Sequence, residues 1–186
     1  MEYIQGSEKT VGYPVKIMAR GSFLVRGFTL IVPPGKRGST AVPLFWDELI
    51  ADGRLKELRD VSSVPAWTLG LGSWDPECEK GGSRYTICLE ETGHTDFSPL
   101  AAKYKLYSLK IGATEWMCFE MTHQKYMERL WKDNPYKMMG PLGYRWNPGE
   151  AGRDDGVLGI HFDAYPPGFE ALTRPAMEFW ITVAKA

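Results

Sequence analysis

The sequence has no surplus of positive charge. Its 186 residues carry 22 Lys plus Arg against 23 Asp plus Glu, a formal net charge of −1. Proteins held electrostatically to nucleic acid or to an anionic membrane show a basic excess or a basic patch. No run here supplies one, so direct nucleic-acid binding and membrane-surface binding are both unexpected. Long apolar runs are also missing, and no segment is long enough to span a bilayer. Met1 to Thr10 is polar, without the apolar stretch of a secretory leader, so a cytoplasmic protein is expected. Cysteine is scarce. Cys78, Cys88 and Cys118 make an odd count with no CxxC spacing, which argues against a disulfide framework or a structural zinc site and for a reducing compartment. His94, His123 and His161 lie far apart, and none has a metal-ligating residue at i+3 or i+4. GxGxxG, P-loop and GxSxG motifs are absent, and Gly70 and Gly72 inside a strand run read as bends, not as a phosphate cradle. Neither a metal nor another cofactor is expected.

What is present is ring surface. Phe, Trp and Tyr number 8, 7 and 9 in a chain whose 44% apolar and 24% charged content is otherwise ordinary. That exceeds what a core of this size needs, so the surplus goes into packing, an interface or a pocket. The length suits one domain, 1–186.

Val15 to Val32 reads as extended structure, interrupted at Gly21 and Gly27. A loop at Pro33 to Gly38 precedes a first helix. Thr40 is its expected N-cap, Pro43 lies in the first turn, Phe45, Trp46, Leu49 and Ile50 form its apolar stripe, and Gly53 ends it. Arg54 to Asp60 adds a short helical piece. Strand-like runs follow at Ala66 to Trp74 and Arg84 to Glu91. The order then recurs. Lys105 to Ile111 and Trp116 to Met121 are strand-like, broken near Gly112. Thr122 caps a second helix with the stripe Tyr126, Met127, Leu130 and Trp131, which Pro135 stops. A loop covers Gly140 to Gly156, and Val157 to Tyr165 and Met177 to Val183 are the last strands.

Each half therefore reads β-α-β-β, with repeats at roughly 13–92 and 104–185. Phe45-Trp46-Asp47 is echoed by Leu130-Trp131-Lys132. Leu69-Gly70-Leu71 with Trp74-Asp75 is echoed by Leu158-Gly159-Ile160 with Phe162-Asp163. The offsets are 85 residues for the Trp pair and 89 for the Gly pair, and matching the helices by apolar stripe instead gives 81, about one turn different.

Acids on the strand runs carry the functional signal. With a period of two, Asp163 and Tyr165 share a face with His161, opposite Ile160, Phe162 and Ala164. An acid beside a phenol serves a pocket, or else a solvated outer face. Glu178, Glu115 and Glu120 carry the same ambiguity. A buried carboxylate needs a partner, because desolvating it alone costs several kcal/mol. A lipophilic cation is one such partner, and each ring adds roughly 0.5–2 kcal/mol of cation–π attraction. Trp74, Tyr85, Trp116, Tyr165 and Trp180 are the pocket rings on strands. The loop rings Tyr136, Tyr144 and Trp146 lid a cleft or pack over it. Phe45, Trp46, Tyr126 and Trp131 read as helix rings facing the sheet.

Three segments resemble the GyrI-like family, the bacterial effector-binding domain. Leu109-Lys110-Ile111-Gly112-Ala113-Thr114-Glu115-Trp116-Met117-Cys118-Phe119 is similar to that family's Ile-Pro-Ala-Gly-x-Tyr-x-x-Phe stretch. Leu130-Trp131 on the second helix precedes a long loop, as in the family. Phe162-Asp163-Ala164-Tyr165 is similar to Phe-Glu-x-Tyr, and the strand from Glu178 to Val183 resembles the family's last strand. The likeness runs over about residues 13–186. Asp163 replaces the usual Glu, Gly112 and Thr114 replace Pro and Gly, and Thr182 replaces Pro.

The resemblance implies an α+β domain: duplicated β-α-β-β, two antiparallel sheet halves with pseudo-twofold symmetry, two main helices and a central ligand cleft. Such domains occur alone and at the C-terminus of AraC-type and MerR-type multidrug-responsive regulators of transcription. The ligand-contacting acid falls on Asp163, its flanking aromatic on Tyr165 and the strand aromatic on Trp116. The expected function is binding of small aromatic, often cationic, drug-like molecules. With no room for a helix-turn-helix before residue 13, a stand-alone binder is expected. Ligand contacts are expected at Asp163, Tyr165, Trp116, Trp74, Tyr85, Trp180, Tyr144 and Trp146. One alternative is a hydrolase of strained electrophilic rings, cyclopropanoid or epoxide-like, with Asp163 as base and Tyr165 as helper. A second is a gyrase-inhibitor-like protein-interaction module. Oligomeric state is left open.

Overall fold

The computed structural model describes residues 1–74, 76–149, 156–169 and 176–186. A short N-terminal strand, β1 (Glu2–Tyr3), and helix α1 (Ser7–Val11) lead into β2 (Val15–Arg20) and β3 (Phe23–Val32). Helices α2 (Gly38–Ala51) and α3 (Arg54–Asp60) follow, then β4 (Thr68–Trp74), β5 (Ser83–Glu91) and α4 (Ser98–Lys103). The second half runs through β6 (Tyr107–Ile111), β7 (Thr114–Thr122), α5 (His123–Lys125), a π-helical turn (Tyr126–Leu130), α6 (Trp131–Asp133) and α7 (Pro135–Met138). A 3-10 turn (Gly140–Leu142), β8 (Tyr144–Trp146), β9 (Leu158–Tyr165) and β10 (Ala176–Lys185) complete the described chain. No helix among the described residues is long and apolar enough to cross a membrane.

All ten strands form one sheet, ordered β1-β2-β7-β10-β9-β4-β5-β3-β6, with β8 extending along β10. The pairings are antiparallel. Without β1 and β8 the order is palindromic about the junction of β9 and β4. Exchanging β2 with β6, β3 with β7, β4 with β9 and β5 with β10 regenerates it. The fold is thus α+β with duplicated sheet halves. Each half lends its first strand to the other, since β2 pairs with β7 and β6 with β3.

One sheet face buries Phe23, Val25, Leu69, Leu71, Leu109, Ile111, Trp116, Ile160, Phe162 and Trp180 together. Phe23 meets Trp116 and Phe162 with ring centroids 6.5 and 6.1 Å apart. Because β3 and β7 lie near opposite ends of the strand order, the sheet curls round this face and closes it into a core. The other face carries the helices. Phe45 and Leu49 of α2, with Leu55 and Leu58 of α3, bury against Phe28, Tyr85, Ile87 and Leu89. Leu130, Met138 and Met139 bury against Phe119, Phe179 and Ile181. Trp46 packs against both groups, so the two helical layers meet above the central strands.

The helix starts and stops match the sequence in part. The Thr122 hydroxyl accepts from the Lys125 N–H at 3.1 Å, an N-cap bond. α2 ends at Ala51, just ahead of Gly53, as expected. It begins earlier than expected, with Arg37 at the N-cap position, which leaves Thr40 and Pro43 inside the helix. Gly140 to Gly156 was expected to be loop throughout but contains the 3-10 turn and β8. β8 exists because Val183, Ala184 and Lys185 run past β9 and pair with Trp146, Arg145 and Tyr144.

Candidate ligand-binding site

β9 and β4 lie side by side at the pseudo-twofold. Their register sets Thr68 opposite Tyr165, Gly70 opposite Asp163 and Gly72 opposite His161. One strand supplies bulk and polarity while the other supplies space. A Cβ on Gly70 would stand 2.0 Å from the Tyr85 hydroxyl, and one on Gly72 would stand 2.2 Å from the His161 ring. These glycines are not bends, as the sequence suggested. They lie within β4, whose register with β9 shifts only after Gly72, and leave a trough that the Tyr85 and His161 side chains enter.

Asp163 is 2% exposed. Its Oδ2 accepts from the Tyr85 hydroxyl at 2.9 Å, and Tyr85 accepts from Trp46 Nε1 at 3.3 Å. Asp163 Oδ1 is buried with no hydrogen-bond partner. Burial pushes the carboxyl up to about 6, and the nearby Tyr126 and Tyr85 hydroxyls restrain the rise. The three phenols round it, Tyr85, Tyr126 and Tyr165, are raised well above the usual tyrosine value, by burial first and then by the Asp163 charge. They therefore stay protonated, and of the three Tyr85 donates to the carboxylate.

Aromatic rings close the site. Trp46 packs edge-on to Tyr165 at 5.2 Å, and Tyr165 packs on Phe169 at 4.9 Å. His123 stacks on Tyr126 at 6.3 Å and lies near Tyr165. Trp131 packs edge-on to His161 at 5.7 Å. Burial lowers the His161 imidazole to about 4, against a modest opposing effect from its contact with the Gly159 carbonyl. The ring is neutral near pH 7, so Asp163 has no cationic partner from this neighbour. Tyr126 and Trp131 belong to or follow the π-helical turn. π-turns are rare and recur at functional sites. The turn leaves Met127 and Trp131 56% and 47% exposed, although a continuous α-helical stripe would bury both.

Of the residues singled out from sequence, Asp163, Tyr165 and Tyr85 come together. Trp116 and Trp180 lie on the opposite face, in the closed core. Trp180 Nε1 donates to Glu178 Oε2 at 2.6 Å. Trp74 and Trp146 pack together at 6.3 Å, and Tyr136 packs on Trp146 at 4.8 Å. Trp74 covers Gly159, four residues and therefore about 13 Å along β9 from Asp163. Tyr144 pairs with Lys185 at the end of β10. The sequence reading missed Trp46, Tyr126 and Trp131 as site rings. It took them for core-facing helix residues, and only their location over the central strands distinguishes them.

No family model matches the chain, and no curated protein matches it. Solved structures do. SAV2435 bound to tetraphenylphosphonium superposes with a TM-score of 0.66 at 17% identity, over 99% of this chain and 94% of that one. A candidate bacterial transcription regulation protein from Staphylococcus aureus MU50 gives 0.62 at 15% identity, over 91% of this chain and 97% of that one. EcmrR, in a complex with DNA, gives 0.53 at 15% identity; 98% of this chain covers 61% of that protein. The chain shares its fold with these proteins.

Proposed function

We propose that the protein binds small aromatic cations at Asp163, between α2 and the turn that joins α5 to α6. The observation that carries this reading is the Asp163 carboxylate. It is buried among rings, has no cationic partner among the described residues and keeps one oxygen unsatisfied. Such a group costs several kcal/mol to desolvate, and a bound cation offsets that cost. The rings of Tyr85, Tyr165, Trp46, Tyr126 and Trp131 supply contact area and cation–π attraction. The bound tetraphenylphosphonium of SAV2435, a protein of the same fold, adds support. The match to EcmrR, solved with DNA, supports a sensing role in which ligand occupancy is passed to a partner.

Isothermal titration calorimetry with tetraphenylphosphonium tests the reading. Saturable binding is expected, and Asp163→Asn should weaken it at least tenfold. Trp116→Phe, on the opposite face, should leave it unchanged. Absence of binding by this and other aromatic cations, or full affinity in Asp163→Asn, would overturn the reading.

A further inference from the structure

The two oxygens of Asp163 are not equivalent. Oδ2 accepts the only proton of the Tyr85 hydroxyl. That hydroxyl also receives the Trp46 Nε1–H, which fixes it as an acceptor on one side and a donor to Asp163 on the other. The missing Cβ of Gly70 leaves the room that keeps Tyr85 there. Oδ1 is buried, and no donor, the nearby Tyr126 hydroxyl included, meets it with hydrogen-bond geometry. A carboxylate oxygen has two lone-pair sites, and a desolvated oxygen without a donor is unfavourable.

The same chain contains a filled version of this arrangement. Glu178, on the other face of the sheet, accepts Trp180 Nε1–H on Oε2 at 2.6 Å and the Lys16 ammonium on Oε1 at 2.6 Å. The Lys16 ammonium also lies 5.9 Å from the Tyr3 ring centroid. There, an aromatic side chain donates to one carboxylate oxygen and a protonated amine donates to the other, beside a ring. At Asp163 the aromatic donor is in place and the amine is not.

Resting on the cation-binding reading, the geometry points to a narrower ligand class. The site selects cations with an N–H donor, such as protonated amines, amidines and guanidines, over quaternary ammonium and phosphonium ions. Both classes gain the Coulomb attraction and the ring contacts. Only the first satisfies Oδ1. A charge-assisted hydrogen bond in a desolvated site is worth about tenfold to a hundredfold in affinity. Asp163 is thus the residue that sets charge preference, and its Oδ1 sets donor preference. Tyr85, held by Trp46, is a positioning residue that keeps Oδ2 occupied.

The test uses a matched pair, N,N-dimethyl-1-naphthylmethylamine in its protonated form and trimethyl(1-naphthylmethyl)ammonium. They differ by one methyl in place of the N–H. Calorimetric titration near pH 7.5 on the full chain gives the ratio of their affinities. The amine is expected to bind about tenfold tighter, and that ratio should collapse or invert in Asp163→Asn. Should Asp163→Asn bind neither ligand, Tyr85→Phe serves instead. Freeing Oδ2 gives the carboxylate a second open acceptor, so the amine preference should rise. Equal affinities, or a tighter quaternary ion, in a wild-type protein that binds both would overturn the donor preference and leave the cation reading standing. An unchanged ratio in the deciding variant would overturn it too. Failure of both ligands and of tetraphenylphosphonium to bind would instead overturn the cation reading itself.

Discussion

Replacing Gly70 with alanine should damage the site more than one methyl suggests. The new Cβ would stand 2.0 Å from the Tyr85 hydroxyl oxygen, 2.8 Å from its ring carbon Cζ and 3.3 Å from Asp163 Cβ. Tyr85 is only 6% exposed and is bonded to both Trp46 and Asp163, so its ring has no open space to move into. Overpacking of this kind costs about 1–3 kcal/mol. Displacing the donor from a buried carboxylate costs about 1–3 kcal/mol more. The expected loss is therefore ~2–6 kcal/mol, or roughly 4–24 °C in Tm for a domain of this length. Thermal and urea denaturation of Gly70→Ala, Tyr85→Phe and the double variant form a cycle. Tyr85→Phe removes the oxygen that the alanine would strike, so the double variant should be more stable than the sum of the singles by about 1 kcal/mol or more. Additive losses, or a Gly70→Ala protein as stable as the parent, would refute the claim that Gly70 exists to admit the Tyr85 hydroxyl to Asp163.

Asp163 should make the folded protein more stable in mild acid than at neutral pH. Its carboxyl is held up to about 6 against an ordinary 3.8, so between pH ~4 and ~6 the folded state binds a proton that the unfolded state has lost. This group's contribution should then lower stability as pH rises through that window, by roughly 3 kcal/mol, and stay level above it. Asp163→Asn should abolish this component in pH-resolved urea denaturation and be the more stable protein at pH 7. Cation affinity should run the other way, falling about tenfold per pH unit below ~6, because the ligand competes with the proton. On the opposite face, Lys16 donates to Glu120 and Glu178 at 2.8 and 2.6 Å, and those two acids face each other directly across β7 and β10. Burial works against the Lys16 charge, but these bonds outweigh it and hold the ammonium above its usual pKa. Lys16→Met should cost about 3–5 kcal/mol by stranding the acids. Lys16→Met with Glu120→Gln and Glu178→Gln should regain most of that loss in the same denaturation assay.

The alternation of β9 was readable without a structure. Ile160, Phe162 and Ala164 bury in the curled core, while His161, Asp163 and Tyr165 share the helix-covered face. That much follows from the period of a strand. The partners across the sheet did not follow. Gly70 and Gly72 looked like bends because a glycine in a strand run has several readings, and the deciding contacts come from Tyr85 and His161, distant in sequence. The π-turn was equally hidden, since Tyr126, Met127, Leu130 and Trp131 fit a continuous α-helical stripe. β1, α4 and β8 span too few residues to produce a measurable period. The hydrolase alternative invoked the same Asp163 and Tyr165, so sequence alone had no independent residue to separate turnover from binding.

A duplicated fold raises a specific problem at its centre, and these residues solve it. Strict symmetry would give β4 and β9 the same side chains, and an acid at Gly70 would face Asp163 across adjacent strands. Like charges so placed would repel, and one would have to take up a proton. In this chain β9 keeps the polar set, His161, Asp163 and Tyr165, while β4 contributes Thr68, Gly70 and Gly72. The layers above are unequal in the same sense. α2 contributes Trp46 to the Tyr85 hydrogen bond, and the second half contributes Tyr126 and the Trp131–His161 contact from its π-turn. Symmetry thus builds the trough, and departure from symmetry leaves one carboxylate in it with one open oxygen. An acidic residue introduced at position 70 would therefore do more than clash. It would hand Asp163 a like-charged neighbour and drive its carboxyl further up. The pair should then share one proton near pH 7 and keep a single negative charge, so a loss of cation affinity in such a variant would come from the displaced Tyr85 and not from a neutralised site.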